Sequence, residues 1–136
     1  MTSPWPDDPR DYVLAYLDAW NAGDADRVCD AYHVPSLIYA DRALHANMDT
    51  DTRRAWLGAY VESTRPELAT GTRWECPTLS AMPLGSDAAL VTARWIFRRT
   101  DGTVVEDYFD SYVLVRLDGR WTFMADMIHA GAATGD

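Results

Sequence analysis

From about residue 72 onward the chain reads as four consecutive strand runs, over about 72 to 82, 88 to 99, 103 to 117 and 120 to 130. The dividers are Gly85-Ser86-Asp87, Asp101-Gly102 and Asp118-Gly119. Asp-Gly between strand-forming runs is a strong hairpin signal, because the tight turn that matches strand twist needs positive φ at both central residues. A meander of strands this long cannot stay flat, since the twist of each strand accumulates and coils the sheet. One face of such a sheet must be covered, and the residues before 70 supply the cover.

Asp8 offers an N-cap oxygen, Pro9 a preset φ at the first helical position and Asp11 a negative charge at the helix's positive end. Val13, Leu14, Tyr16, Leu17 and Trp20 make one apolar stripe, so a helix is expected over about 9 to 21. Gly23 suits a left-handed stop, and Asp24 caps a second helix whose inner face would hold Val28, Cys29 and Tyr32 until Pro35 ends it. Leu37-Ile38-Tyr39 reads as a short strand, and residues 41 to 49 as a loop or minor hairpin. Thr50 or Asp51 caps a third helix carrying Trp56, Leu57, Tyr60 and Val61, with Pro66 marking its end. Helices first and a strand meander second indicate an α+β fold: three N-terminal helices packed on a curved antiparallel sheet, closing a cone-shaped barrel around a hollow. At 136 residues the expectation is one domain over 1–136, with 1–7 as an arm and 132–136 as a tail.

Composition narrows the partners. The formal charge is −9, and all twelve basic residues are Arg and scattered, so a phosphate-binding face for nucleic acid is not expected. The opening MTSPWPDDPR lacks a basic start followed by an apolar run, and no stretch reaches membrane-spanning length, so no membrane association and a cytoplasmic location are the expectation. Cys29 and Cys76 are too few for a disulfide framework. Cys29 and His33 are four apart on the expected second helix, but no further ligand cluster accompanies them, so no metal is expected. Gly-rich phosphate loops, a nucleophile elbow and paired Cys motifs are lacking, and no cofactor is expected. Six Trp and seven Tyr suit a pocket wall for a hydrophobic small molecule.

Two local strings carry a family likeness. Tyr16-Leu17-Asp18-Ala19-Trp20-Asn21-Ala22-Gly23-Asp24 places a Tyr five residues before an Asn-Ala-Gly-Asp turn, and Asp110-Ser111-Tyr112 lies on the third strand of the meander. With the order of elements, these strings resemble the nuclear transport factor 2-like superfamily, in its SnoaL-like and ketosteroid isomerase-like branch, over residues 9 to 131. The closing Ile128-His129-Ala130-Gly131 is also similar to the isomerase C-terminus. The resemblance implies that Tyr16 is an oxyanion-hole phenol, that Asp110 is its protonated carboxyl partner and that the chain forms a homodimer. It also exposes a departure: ungapped counting puts Ala40 where the isomerase carries its general base, with Asp41 one residue beyond. A shift by one reverses the face of a strand.

The residues themselves leave some choices open. Strand alternation puts Tyr108, Asp110, Tyr112 and Leu114 on one face. If that face is concave, Asp110 is desolvated and protonated; if not, it is a carboxylate held by Arg94 or backbone donors. Asp126 and His129 are three apart, so one enters the hollow, and counting from the final strand of the family that the chain resembles favours Asp126 unless a bulge near Ala125 intervenes. His129 is otherwise a general-base candidate by its titration range. Apolar alternation favours Trp95 inward over Arg94. Trp20, Tyr39, Trp56, Tyr60, Trp74, Trp95 and Tyr112 are expected to line the substrate site.

The leading expectation is a cofactor-free isomerase, cyclase or dehydratase acting by proton transfer on a hydrophobic carbonyl or polyketide-like metabolite. Tyr16 and Asp110 would be the donors, and Asp41, Asp126 or His129 the base. The alternative is a non-catalytic ligand-binding or dimerisation module. The outer face of the sheet, with Val105, Phe109, Val113 and Val115, would form the dimer contact.

Overall fold

In the computed structural model, which describes residues 5–130, Asp8 accepts from the backbone N–H groups of Arg10 and Asp11 and opens α1 (Pro9–Asn21). Gly23 then turns the chain at φ +62°, and Asp24 caps a short α2 (Ala25–Asp30). The second helix is shorter than the sequence reading: Tyr32 starts β1 (Tyr32–Ala40), and Pro35 lies inside that strand. The register there jumps from Tyr32 opposite Phe123 to Leu37 opposite Ala125, and a proline with no N–H to give the ladder is tolerated in such an irregular stretch. Trp5, placed in a loose arm by the sequence reading, is buried against Tyr12 and donates to Asp30.

β1 turns through Asp41 and Arg42, both at positive φ, into β2 (Ala43–Asn47), so the weak stretch is a hairpin. Asp49 caps the next helix, which runs as α3 (Thr50–Arg53), a π-helical turn (Arg54–Gly58) and α4 (Ala59–Ala69). Pro66 falls within α4 rather than ending it. It forfeits one backbone hydrogen bond, and the packing of Val61, Thr64 and Leu68 carries the helix onward. Among the described residues no helix is long and apolar enough to cross a membrane.

The meander follows as β3 (Arg73–Pro83), β4 (Ala88–Arg98), β5 (Val104–Leu117) and β6 (Arg120–His129). Asp118 and Gly119 both have positive φ, as the two-residue hairpin requires. The six strands lie in the order β2-β1-β6-β5-β4-β3, every pair antiparallel except β1 with β6. The sheet therefore stays open between the edges β2 and β3, with the helices across its concave face.

Two local devices set that face. In β6 the pairing passes from Leu114 opposite Phe123 to Val113 opposite Ala125, leaving Met124 as an unpaired bulge residue. Phe123 and Asp126, an odd number of residues apart, thus both point inward and are buried. At the other end Asn21 clamps α1 to β3, its amide donating to Trp74 O at 3.0 Å while its oxygen accepts from Trp74 N at 2.7 Å.

Asn21→Ala removes both bonds and leaves two backbone groups of a mostly buried Trp short of partners. A loss of about 2 kcal/mol is expected, read as a lower urea midpoint at unchanged slope. An unchanged midpoint would show that water satisfies those groups and that the clamp is incidental.

Candidate functional site

The concave face encloses a hollow whose walls are mostly aromatic. α1 contributes Tyr16 and Trp20, β1 Tyr32 and Ile38, and the π-helical turn with α4 supplies Trp56, Leu57 and Tyr60. Trp74, Trp95, Tyr108, Asp110, Tyr112, Asp126 and Ile128 come from β3 to β6. About 470 Å³ of space lies free of atoms, counted out through the mouth. The hollow is a small aromatic-walled slot, and a π-helical turn is the kind of local irregularity that re-aims side chains into such a site.

Two carboxyl groups form its polar centre. Trp95 Nε1 donates to the Tyr112 hydroxyl at 3.0 Å, and that hydroxyl donates to Asp110 Oδ2 at 2.9 Å. On the other side the Tyr32 hydroxyl donates to Asp126 Oδ2 at 3.0 Å, while the Tyr16 hydroxyl lies 3.2 Å from that of Tyr32. Since Tyr32 gives its proton to Asp126, Tyr16 is the donor in the last contact. Each carboxyl keeps a buried Oδ1 to which no N–H or O–H of another side chain donates. Asp110 and Asp126 are neighbours in the hollow, and two carboxyls buried this close without a cation between them avoid strong repulsion only when one retains a proton.

Burial pushes the Asp110 carboxyl up to about 6. Burial and then the neighbouring Asp110 charge hold Asp126 well above the carboxylate range. The proton belongs to the pair rather than to either residue. None of the lining side chains is Arg, Lys or His. Burial also raises the phenols of Tyr16, Tyr32, Tyr108 and Tyr112 well above their ordinary value, so at neutral pH they act only as neutral hydrogen-bonding groups.

The structure brings Tyr16, Asp110 and Asp126 together with Trp20, Trp56, Tyr60, Trp74, Trp95 and Tyr112. Trp95 rather than Arg94 faces inward, and Arg94 makes a two-pronged bond to Asp107 on the outer face. Three expectations are corrected. Asp41 sits exposed in the β1–β2 turn at φ +52°, and the inward, buried position beside it is Ala40, so no base enters from β1. Tyr39 faces outward, 39% exposed, because Ile38 takes the inward place. His129 lies on the convex side, with Nε2 2.8 Å from Ser111 Oγ and its ring stacked on Phe109, because no bulge separates it from Asp126.

Tyr108, expected on the face of Asp110, also lines the hollow, as do Tyr32, Ile38, Leu57 and Ile128, which the sequence did not single out for it. Alternation from Asp110 identifies Tyr108. Tyr32 was masked by the overlong second helix. His33 likewise falls on β1, away from the helix carrying Cys29, and among the described residues no three metal-ligating side chains cluster.

Unfolded, each carboxyl ionises near ~4. Folded, Asp110 keeps its proton up to about 6, and Asp126 is likewise held well above its ordinary value. In that window the folded state binds more protons, so the pair's contribution to stability falls as pH rises through it. Asp110→Asn, which cannot ionise, should melt at least as high as wild type at pH 7 and lose less between pH 5 and 8. A variant melting several degrees lower at pH 7 would mean that the carboxylate stabilises as an anion, against the shared proton.

The sequence profile of a family described as NTF2-like protein (DUF6841) matches residues 7–131. Among solved structures, an NTF2-like protein from Novosphingobium aromaticivorans is similar, with TM-score 0.72 and 17% identity over 91% of this chain and 81% of its own. An NTF2-like protein of unknown function from Shewanella oneidensis aligns with TM-score 0.67 and 19% identity, covering 85% of this chain and 91% of its own. A candidate ketosteroid isomerase from Shewanella frigidimarina aligns with TM-score 0.65 and 15% identity, covering 85% and 89%. No curated protein matches the chain. Identities this low speak for the fold alone, whereas the profile spans nearly the whole sequence: the chain belongs to the NTF2-like family DUF6841.

Proposed function

We propose that the chain is a cofactor-free enzyme that moves a proton within a hydrophobic carbonyl compound, with Asp110 and Asp126 as a joint acid and base. The observation that carries this reading is the pair itself: two buried carboxyls sharing one proton on the wall of an aromatic slot without a lining cation. Groups whose environments hold one protonated and one ionised at neutral pH have the two states that general acid–base catalysis needs. The ionised member takes a proton from the carbon next to the carbonyl as the protonated member hydrogen-bonds the carbonyl oxygen. Returning the first proton to a different carbon completes an isomerisation. Loss of a leaving hydroxide, protonated by the acid, gives a dehydration from the same start.

The candidate isomerase from Shewanella frigidimarina supports this class only as a neighbour in fold. Absence of a base on β1 argues that the carboxylate of the pair replaces it. Against a panel of enones, polycyclic ketones and polyketide-like aromatics, turnover should fall about 10²- to 10⁴-fold in Asp126→Asn. Binding followed by Trp quenching should survive in the variant. Wild-type quenching without turnover on any member would sink the catalytic reading and leave a ligand-binding module.

The convex face supports a homodimer. Leu44, Tyr39 and Met127 lie across three neighbouring strands at 65, 39 and 51% exposure, with Leu37 and the half-buried Val113 on the adjoining rung. Contiguous apolar surface of this kind marks an interface. Sedimentation at micromolar concentration should give twice the chain mass, and Met127→Glu should halve it; a wild-type monomer would end the dimer proposal.

A further inference from the structure

The slot does not end at its aromatic wall. Trp56, Tyr60 and Trp74 also line a second groove, between α4 and the ends of β4 and β5, whose far side holds Phe97 and Glu106. Resting on the proposed reading of the inner slot, we propose that this groove is an ammonium subsite, so that the natural ligand is an elongated molecule with an oxygen at one end and a protonated amine at the other.

The charge of Glu106 is the first support. It shares the inward row of β5 with Tyr108, Asp110 and Tyr112, is half-buried, and makes no ion pair among the described residues. The nearby guanidinium groups are already taken, Arg94 by Asp107, Arg98 by Glu75 and Arg99 by Glu67. Glu67, the other acid of the groove, is thereby neutralised, and Glu106 remains the local negative charge.

The hydroxyls of the groove point to the same chemistry. Ser63 Oγ and Thr64 Oγ1 spend their protons on the carbonyls of Tyr60 and Val61 and offer the groove only lone pairs. Acceptors, a carboxylate and aromatic side chains together favour a cation, which gains charge-assisted hydrogen bonds and contact with ring faces. A carboxylate or phosphate tail would meet only repulsion here. The exception is Trp74 Nε1, a buried donor without a partner on the wall between slot and groove, and it suits a ligand oxygen partway along.

Spacing fixes the length. Glu106 and Asp110 are four residues apart on one strand, roughly 13 Å along the sheet. A ligand of two or three fused rings, or one ring with a short chain, spans that distance.

Three probes test the subsite, each a 2-naphthol with a four-carbon chain on its far ring ending in ammonium, methyl or carboxylate. Titrated by Trp quenching at pH 7, the ammonium probe should bind about tenfold tighter than the methyl probe and the carboxylate probe more weakly than both. Glu106→Gln should narrow the gap between ammonium and methyl to about twofold. Should that variant not fold, raised salt applied to the wild type should narrow the same gap. Equal binding of ammonium and methyl probes, or a gap untouched by both the variant and salt, would overturn the subsite while leaving the inner reading intact. Failure of all three probes to bind would overturn both.

Discussion

A buried carboxylate without a cation beside it is among the most expensive groups a fold can hold, and this hollow contains two carboxyls. A retained proton makes the arrangement tenable, because it removes one charge and with it most of the mutual repulsion. The surrounding polar atoms are arranged to suit. Tyr112 and Tyr32 each donate to an outer carboxyl oxygen, and Trp95 and Tyr16 stand behind them as further donors. The aromatic side chains thus act as wall and as solvent substitute, with polar tips on the charge and apolar bodies against the core.

The backbone irregularities serve the same centre. Without the bulge at Met124, either Phe123 or Asp126 would face out, leaving a gap in the core or Asp110 without its neighbour. The π-helical turn brings Trp56 and Leu57 to the slot, and the Asn21 clamp holds Trp74 where α1 meets the sheet. These features lie in different elements, but each positions a side chain of one small volume.

How much of this was legible in the sequence depended on whether the signal was local. The Asp8 cap, the Asp118-Gly119 hairpin, and the face shared by Asp110 and Tyr112 follow from a few neighbouring residues and were readable. Tyr32 and the Met124 bulge were not, because their orientation is set by partners distant in sequence: β6 fixes the register of β1, and pairing with β5 places the bulge. Pro35 and Pro66 misled for a related reason. Proline forbids a hydrogen bond at its own position, and neither irregular pairing in β1 nor the packing of α4 needed that bond. Fold class was therefore readable, along with half of the acid pair, while its second member rested on a register that the sequence left open.

The direction of the hydrogen bonds carries a chemical consequence of its own. Both donor chains run inward, from Trp95 through Tyr112 to Asp110 and from Tyr16 through Tyr32 to Asp126, so negative charge gathers at the pair. The phenols stay protonated at neutral pH and cannot relay a proton outward by ionising. On the proposed reading, a proton taken up by the pair is held there until the ligand takes it back. Under that reading such retention would favour transfer between two positions of one bound molecule over exchange with water, because the aromatic walls exclude solvent from around a bound ligand.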